Sequence, residues 1–227
     1  PPGAGQAAAR HHVRPRVPAG RRGDAVVAPG PVLTARHVSV AASAGHAAVR
    51  VHRAPRVAVL STGSELVAPG TTPGPGRIPD SNSVLLAASA RAAGARVVRR
   101  GAVGDSAAAL GATLDGLLDA FDGAPPDLLV STGGVSAGAF DVVREVLDPA
   151  TRAGTPWQDA VTDARLVAVG MQPGRPQGLA RWRGVPWLAL PGAPGRAEVE
   201  VAVVGRGGCA GAASARGRGR RASWPGA

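Results

Sequence analysis

The chain has 227 residues, a hydrophobic fraction of 44% and a formal net charge of +11 at pH 7. No stretch of roughly 18 uninterrupted apolar residues occurs, which argues against a transmembrane helix, and residues 1–22 lack the apolar core of a secretory signal. The single cysteine, Cys209, excludes an internal disulfide and a thiolate metal cluster. These features predict a cytoplasmic protein that makes no membrane contact.

The positive charge lies mainly at the two ends of the chain. All 26 basic residues are arginines, as expected for a coding sequence rich in G and C. The terminal arginines are Arg10, Arg14, Arg16, Arg21 and Arg22 at one end and Arg216, Arg218, Arg220 and Arg221 at the other. A basic surface can bind nucleic acid, and such binding would depend strongly on salt. We favour solvated, disordered basic ends instead, because the middle of the chain is nearly balanced in charge.

Composition divides the chain into four segments. Residues 1–30 are rich in Pro, Gly, Ala and Arg and are interpreted as a disordered segment or the remnant of a linker. Residues 31–54 are interpreted as a linker segment of an upstream domain, and residues 31–51 are expected to supply a strand and a short helix. Residues 55–204 carry the regular pattern of an α/β domain. Residues 205–227 form an irregular tail without an apolar period, and a frameshift in GC-rich DNA after about residue 194 is one hypothesis for it.

Short apolar runs predict the β-strands of the α/β domain. These runs have the length and β-branched content of buried strands, and they cover residues 57–60, 97–103, 128–130, 166–169 and 187–190. A long loop rich in Gly and Pro, residues 66–79, follows the first strand.

Three helices are predicted between these strands. Asp80 or Ser81 caps a helix over residues 82–93, and Gly94 ends it. Ser106 caps the second helix, and the third covers residues 141–147. The second has the clearest apolar face in the chain, formed by Leu110, Leu114, Leu117, Leu118 and Phe121. Alternating strands and helices are typical of a doubly wound sheet, so we predict an α/β fold, a three-layer α/β/α sandwich with a mostly parallel sheet.

Two of the predicted strands end in similar polar turns. The first runs into S-T-G-S-E at residues 61–65, and the third runs into S-T-G-G-V-S-A-G-A-F-D at residues 131–141. Because the carboxyl ends of parallel strands meet at one edge of a sheet, these turns predict a ligand site there. Glycines let backbone N–H groups approach an anion. The predicted phosphate cradle consists of Thr132, Gly133, Gly134 and Ser136, with a tight glycine turn as the structural alternative.

Three acidic residues follow strand ends, namely Glu65, Asp105 and Asp141. A carboxylate beside a phosphate cradle repels the anion unless a divalent cation lies between them, so these acids suggest a Mg²⁺ or oxyanion-handling metal site. Glu65 could instead bind the N–H edge of a pterin-like ring, or be a solvated loop residue, and Asp105 could be a capping residue. Asp80 and Asn82 place a carboxylate and an amide at a helix start, where ordinary N-capping is the alternative.

Two rigid turns late in the chain supply the remaining candidates. One is Q-P-G-R-P at residues 172–176, where Arg175 can bind a phosphate or an oxyanion through two parallel hydrogen bonds. The other is P-G-A-P at residues 191–194, directly after a strand. Plain loop chemistry is the alternative for either turn. The candidates in these turns are Pro173, Gly174, Arg175, Pro191 and Pro194.

Together, six motifs in this order resemble the molybdopterin molybdenumtransferase family, the MoeA and gephyrin E-domain type. The motifs are P-R-V-A-V-L-S-T-G-S-E-L at 55–66, D-S-N-S at 80–83, V-G-D at 103–105, S-T-G-G-V-S-A-G-A-F-D at 131–141, M-Q-P-G-R-P at 171–176 and L-P-G-A-P at 190–194. A single motif such as T-G-G-V-S would not suffice, because the related molybdopterin adenylyltransferases share it.

The resemblance implies a fold of the MoaB/MogA type and an enzyme that inserts molybdate into adenylylated molybdopterin, with Mg²⁺ and release of AMP. It implies that Glu65, Asp105 and Asp141 are acidic active-site residues and metal ligands. It also implies a set of cofactor-binding residues: Thr62, Gly63, Asp80, Asn82, Thr132, Gly133, Gly134, Ser136, Pro173, Gly174, Arg175, Pro191 and Pro194. Intact members of the family are homodimers.

The chain departs from the family pattern at several positions. Gln172 and Arg175 stand in a turn where the family places lysines, and Gly170 is an insertion. Ala193 and Arg196 replace the Asn and Ser of L-P-G-N-P-V-S. The family's inserted upstream domain and its C-terminal β-barrel-like domain are not visible, so the chain resembles a truncated or frameshifted member. A catalytically inactive molybdopterin-binding fragment or scaffold is therefore the alternative function, whereas the upstream segment and late turns disfavour an adenylyltransferase.

Overall fold

A computed structural model describes residues 23–28, 30, 32–135, 141–168 and 176–192, together with the backbone of residues 220–223. The chain divides into two compact units, one formed by Pro1–Val51 with Gly219–Ala227 and the other by His52–Arg218. No helix within the described ranges has the length and apolar character needed to cross a membrane.

The smaller unit contains a helix and a pair of strands. Helix α1 (Ala35–Ser43) starts after Thr34, whose amide donates to Nδ1 of His37 at 3.1 Å. Strand β1 (Ala48–Val51) pairs antiparallel with the last strand of the chain, β10 (Arg220–Ser223). The helix and strand expected in residues 31–51 are confirmed. The second strand of the pair was not predicted, because the sequence R-R-A-S has no apolar alternation to mark it.

The larger unit is built on a six-stranded sheet within the described residues. In chain order its elements are β2 (Arg56–Thr62), β3 (Leu66–Val67), β4 (Ile78–Pro79), α2 (Asn82–Ala92), β5 (Arg96–Val103), α3 (Ala107–Gly116), β6 (Leu128–Thr132), α4 (Val142–Leu147), α5 (Pro149–Arg152), β7 (Val161–Val167), β8 (Gln177–Trp182) and β9 (Val185–Leu190). A 3₁₀ turn, Leu117–Asp119, follows α3 directly.

The six strands lie in the order β5-β2-β6-β9-β8-β7. The first four of these are parallel to one another, whereas β8 and β7 run antiparallel to their neighbours. Strand β2 is paired on both sides, and its Leu60 lies opposite Ser131 of β6. The prediction of a mostly parallel sheet is therefore confirmed, and an antiparallel pair at one edge is added to it.

Helices cover both faces of the sheet, and each face has its own apolar core. On one face, Val57 and Val59 of β2 pack with Leu86 and Ala90 of α2. The other core joins β2 to helices α3 and α4 through Ala58, Leu60, Leu110, Leu114, Val143 and Val146. Successive strand residues point to opposite faces, so the continuous apolar run of β2 serves both layers. The three-layer α/β/α arrangement is confirmed.

The strands that the sequence did not predict are short or lie near the edge of the sheet. Within the predicted Gly/Pro loop 66–79, the two-residue strands β3 and β4 pair in parallel and join its two ends. Strand β8 buries Gly178, Ala180 and Trp182 and exposes Leu179 and Arg181, so it has no continuous apolar run. Strand β7 begins at Val161, before the predicted start at residue 166. Its first half was missed because Thr162, Asp163 and Arg165 are polar and exposed. Patterns of apolar residues detect the central strands better than these ones.

Candidate functional site

The carboxyl ends of β2, β6 and β9 lie side by side, because these strands are parallel neighbours. Ser61 pairs with Thr132, and Thr132 pairs with Leu190 on its other side. The turns that follow the three strands therefore meet at one edge, which we call the carboxyl edge. This arrangement brings together the two polar turns that the sequence predicted to form a site, together with the start of the third turn at Pro191.

Close packing explains the glycines of the turn after β6. Gly133 has φ +98° and Gly134 has φ +65°. A Cβ on Gly133 would lie 2.4 Å from the carbonyl oxygen of Thr62, and a Cβ on Gly134 would lie 3.1 Å from the amide nitrogen of Val143. The turn is thus wedged between the end of β2 and the first residues of α4. Glycine is required there by the protein's own backbone, which supports the tight-turn interpretation of this segment.

Two of the predicted phosphate donors are already used inside the protein. The amide of Gly133 donates to the carbonyl of Leu190 at 2.9 Å, and the hydroxyl of Thr132 donates to the carbonyl of Pro191 at 3.0 Å. These bonds tie the turn after β6 to the end of β9. Contact of either group with a phosphate stays a prediction, and it would require the group to exchange its partner.

The hydroxyl of Thr62 is different, because it has no hydrogen-bond partner among the described residues. The residue is 5% exposed, and its Oγ1 lies 3.0 Å from where a Cβ on Gly134 would be. A buried hydroxyl without a partner costs about 1–3 kcal/mol. An unpaired polar atom beside the glycine turn is the structural feature that most directly indicates a ligand at this edge.

Asn82 connects the first turn of α2 to the same edge. Its Nδ2 donates to the carbonyl of Gly192 at 2.6 Å and lies 3.4 Å from Oγ1 of Thr132. The side chain is half-buried. The sequence prediction of an amide at this site is therefore supported in position, and the amide links the ends of β6 and β9 from the side of the helix.

Asp80 has a structural role, in contrast to a role in binding a ligand. It is 1% exposed, and it accepts hydrogen bonds from the hydroxyl of Ser61 at 2.8 Å and from the amide of Ser83 at 3.1 Å. The hydroxyl of Ser83 also donates to it, and Arg99 lies 3.5 Å away. The capping interpretation is confirmed, because this buried carboxylate fixes the start of α2 to the sheet. Its surroundings do not support the predicted direct contact with a ligand.

Glu65 and Asp105 lie in the turns after β2 and β5, and both are exposed. A Cβ on Gly63 would lie 2.7 Å from both carboxylate oxygens of Glu65, so this carboxylate is folded back over Gly63. Asp105 accepts a hydrogen bond from the amide of Ser64 at 2.7 Å. Asp141 is half-buried and occupies the N-cap position of α4, at the helix start where it was predicted.

The three predicted metal ligands do not form a convergent cluster. Among the described residues, no group of three or more His, Cys, Asp or Glu side chains is placed to hold a metal ion. Carboxylates are nevertheless the ligands that Mg²⁺ prefers, and Mg²⁺ usually takes one or two of them together with waters and substrate phosphates. Glu65 and Asp141 fit such a sparse site in chemical type, and the metal stays a prediction.

A partly buried ion pair of the larger unit lies at the opposite edge of the sheet. Asp127 precedes β6, and both its oxygens accept from the guanidinium of Arg53, while the amide of Arg56 donates to it at 2.8 Å. Burial pushes the pKa of Asp127 upward, but the hydrogen bonds and charges of the two arginines outweigh this, so the net pKa lies below its usual value. This pair stabilises the fold and is remote from the carboxyl edge.

A second ion pair fastens the β8–β9 hairpin to α3. The guanidinium of Arg183 donates to Asp115 at 2.6 and 3.1 Å, and the indole of Trp182 donates to the same carboxylate at 2.9 Å. The hydrogen bond from Arg183 is the main cause of the lowered pKa of Asp115, and it outweighs the opposing effect of burial. The pair holds the hairpin that leads into β9 and so places the end of that strand.

Several predicted residues lie outside the described part of the chain. They are Ser136, Pro173, Gly174, Arg175 and Pro194. In contrast, the structure adds three residues at the carboxyl edge that the sequence prediction did not assign to the site, which are Ser64, Arg77 and Gly192. Ser64 and Gly192 stand inside the quoted motifs, but Arg77 carries no sequence signal because only the fold brings it to the carbonyl of Ser64.

A family model described as "Probable molybdopterin binding domain" matches residues 58–206, which is more than half of the chain. The chain belongs to this family. The residues matched include the six-stranded sheet, apart from the first two residues of β2, and all of the carboxyl edge described above. The family inferred from the six motifs is confirmed.

The chain is similar to curated molybdopterin molybdenumtransferases. It is 42% identical to molybdopterin molybdenumtransferase 2 of Mycobacterium tuberculosis over 130 residues, which cover 57% of this chain and 29% of that protein. It is 34% identical to molybdopterin molybdenumtransferase 1 of the same organism over 186 residues, which cover 81% of this chain and 40% of that protein. The chain therefore spans less than half of the length of these relatives.

A solved structure has the same fold. The molybdopterin biosynthesis moeA protein from Pyrococcus horikoshii OT3 superposes with a TM-score of 0.56 at 18% identity, over 86% of this chain and 42% of that one. At this identity the likeness concerns the fold of the molybdopterin-binding domain, and the α/β architecture predicted from the sequence agrees with it.

Proposed function

We propose that this molybdopterin-binding domain binds molybdopterin at its carboxyl edge and is the α/β part of a molybdopterin molybdenumtransferase. In that reaction molybdate is inserted into adenylylated molybdopterin during synthesis of the molybdenum cofactor. The observation that carries the proposal is the meeting of the two polar turns, the unpaired Thr62 hydroxyl and the Asn82 amide at one edge, inside the region that the family model matches.

The polar groups at this edge suit a flat heterocycle that carries a phosphate. Thr62 supplies a hydroxyl that lacks a partner among the described residues, and Glu65 supplies a carboxylate that can accept hydrogen bonds from the N–H edge of a pterin. A buried, unpaired donor favours a ligand with a matching acceptor, because binding removes the cost of leaving that donor unpaired. Molybdopterin has both features, since it joins a pterin to a phosphate.

A divalent cation belongs to the proposal. Asp141 would hold Mg²⁺, joined by Glu65 where Glu65 does not bind the pterin edge, and the cation would supply positive charge that neutralises the substrate phosphates. The protein's own residues would then orient the substrate: Thr62 by donating a hydrogen bond, Asn82 by keeping the ends of β6 and β9 together. A cytoplasmic location and a homodimer are the further expectations that accompany this assignment.

A second candidate function is molybdopterin binding without transferase activity. Ala193 stands where the family pattern has an asparagine amide. Both proposals include binding of molybdopterin, so they differ only in turnover.

Isothermal titration of the purified chain with molybdopterin, with and without Mg²⁺, tests the shared part of the two proposals. We expect binding that Mg²⁺ strengthens, and we expect Asp141→Ala to reduce that effect while the circular dichroism spectrum stays unchanged. Asp119→Ala is the matched control, because Asp119 is an exposed residue at the end of the 3₁₀ turn after α3. A folded wild-type chain that binds no molybdopterin would refute the proposed site.

A further inference from the structure

The turns after β2 and β5 hold each other through a reciprocal pair of hydrogen bonds. The amide of Ser64 donates to Oδ2 of Asp105 at 2.7 Å, and the amide of Asp105 donates to Oγ of Ser64 at 3.2 Å. Each side chain thus caps the backbone of the other residue, as the two partners of a capping box do in a helix. One carboxylate oxygen of Asp105 is committed to the backbone of the neighbouring turn.

The same turn is fixed by three further contacts. The amide of Gly63 donates to the carbonyl of Val103 at 3.0 Å, and the amide of Ile78 donates to the carbonyl of Glu65 at 2.9 Å. The guanidinium of Arg77 donates to the carbonyl of Ser64. The backbone on both sides of Glu65 is therefore tied to β5 and to the β3–β4 pair, so the position of this turn depends on several distant parts of the chain.

The backbone of this turn determines where the Glu65 carboxylate lies. The carboxylate is folded over Gly63, with both oxygens 2.7 Å from where a Cβ on that residue would be. Gly63 directly follows Thr62, the residue with the unpaired hydroxyl. A movement of the turn would therefore shift the carboxylate of Glu65 relative to that hydroxyl.

We propose that Asp105 is a positioning residue that places Glu65 through Ser64, and that it is not a ligand of the metal. This inference rests on the proposed function, because it concerns how the molybdopterin site at the carboxyl edge is held in shape. The sequence-based prediction grouped Asp105 with Glu65 and Asp141 as metal ligands, so this proposal gives Asp105 a different role. The hydrogen bond from Ser64 needs an acceptor oxygen at position 105, whereas a Mg²⁺ ligand there needs the negative charge.

Substitution at position 105 separates these two roles. In Asp105→Asn the side-chain oxygen can still accept the Ser64 amide, but the charge is gone. In Asp105→Ala both are lost. A positioning role predicts that Asp105→Asn behaves like the wild type and that Asp105→Ala does not, whereas a ligand role predicts that both variants fail alike.

The experiment has two readouts on the full chain. Amide hydrogen exchange at Ser64, measured by NMR, reports the turn, and titration with molybdopterin in the presence of Mg²⁺ reports the site. We expect Asp105→Asn to keep both values within about threefold of the wild type, and Asp105→Ala to lose about tenfold in each, as expected for the loss of one hydrogen bond. In a Glu65→Gln background, the effect of Asp105→Ala on binding should largely disappear, because the residue acts through Glu65.

Two results would overturn the inference. One is loss of Mg²⁺-dependent binding in Asp105→Asn while the Ser64 amide stays protected, which would make Asp105 a ligand. The other is equal exchange at Ser64 in the wild type and in both variants, which would remove the positioning contact. If the wild-type chain binds no molybdopterin, the proposed function fails, and the exchange measurement alone still decides whether Asp105 holds the turn.

Discussion

Replacing Gly133 by alanine is the sharpest test of how the carboxyl edge is built. This residue lies where the turn after β6 crosses the end of β2, and its φ of +98° is a conformation that residues with a side chain rarely adopt. A Cβ there would lie 2.4 Å from the carbonyl oxygen of Thr62 and 2.8 Å from its Oγ1. The nearest obstacle is backbone in a buried central strand, so it cannot simply turn aside.

Two effects contribute to the destabilisation expected for Gly133→Ala. Backbone strain at such a φ costs about 1–3 kcal/mol, and forcing an extra methyl into a packed region costs about 1–3 kcal/mol. The smaller entropy of the unfolded alanine chain offsets about 0.4–1 kcal/mol of this. We therefore expect Gly133→Ala to lower the free energy of unfolding by about 1–6 kcal/mol.

Urea unfolding followed by tryptophan fluorescence measures this change, because Trp182 and Trp187 are buried in the core. The matched control is Gly116→Ala. Gly116 ends α3 with an ordinary helical φ of −62°, and a Cβ there would meet nothing within 4 Å. We expect this control to be neutral or slightly stabilising, since alanine is the better helix former. Equal unfolding midpoints for the two variants would show that the turn is not wedged against Thr62.

Three further predictions concern other contacts. The lowered pKa of Asp127 means that its ion pair stabilises the fold above the unfolded-state pKa of about 4 and loses this effect as the pH falls through the lower folded value. Acid titration of unfolding should therefore show a steeper loss of stability below about pH 4 in the wild type than in Asp127→Asn, and parallel curves would contradict this. Trp187→Phe should cost about 1–3 kcal/mol in urea unfolding, because it leaves the buried hydroxyl of Ser131 without the indole that donates to it at 2.9 Å; an unchanged midpoint would oppose this. Asn82→Ala should weaken molybdopterin binding in calorimetry by about tenfold through loss of the bond to Gly192, and unaltered affinity would count against it.

The central part of the fold could be predicted from the sequence because its elements are strongly patterned. Strand β2 is a continuous apolar run, and the leucines of α3 recur at helical spacing, so burial alone dictates both elements. Ser106 accepts from the amide of Ala109 at 3.3 Å, as its predicted capping role requires. The antiparallel pair β7–β8 was harder to predict, because a strand near an edge carries polar residues and small ones in place of an apolar run.

The candidate site was predictable only in part. Motifs placed Thr62, Asn82 and Asp105 at strand ends or helix starts, and the order of parallel strands then brought these places together. The sequence alone could not show which hydrogen-bond donors are already paired with acceptors inside the protein. The bond from Gly133 to Leu190 joins positions 57 residues apart in the chain, and the bond from Ser64 to Asp105 joins positions 41 apart. Such pairings depend on which strands become neighbours in the sheet, and this is a tertiary property that no local sequence pattern specifies.

The two polar turns of the carboxyl edge therefore differ in what they can offer a ligand, although their sequences look alike. In the turn after β6, the hydroxyl of Thr132 and the amide of Gly133 both bind the end of β9. In the turn after β2, the buried hydroxyl of Thr62 lacks a partner among the described residues, and the Glu65 carboxylate is exposed. Substitutions in the first turn should act mainly through stability, and substitutions in the second mainly through binding. Measuring unfolding and molybdopterin affinity on both sets of variants would separate these effects, and a loss of affinity without a loss of stability in Thr132→Ala would reverse the assignment.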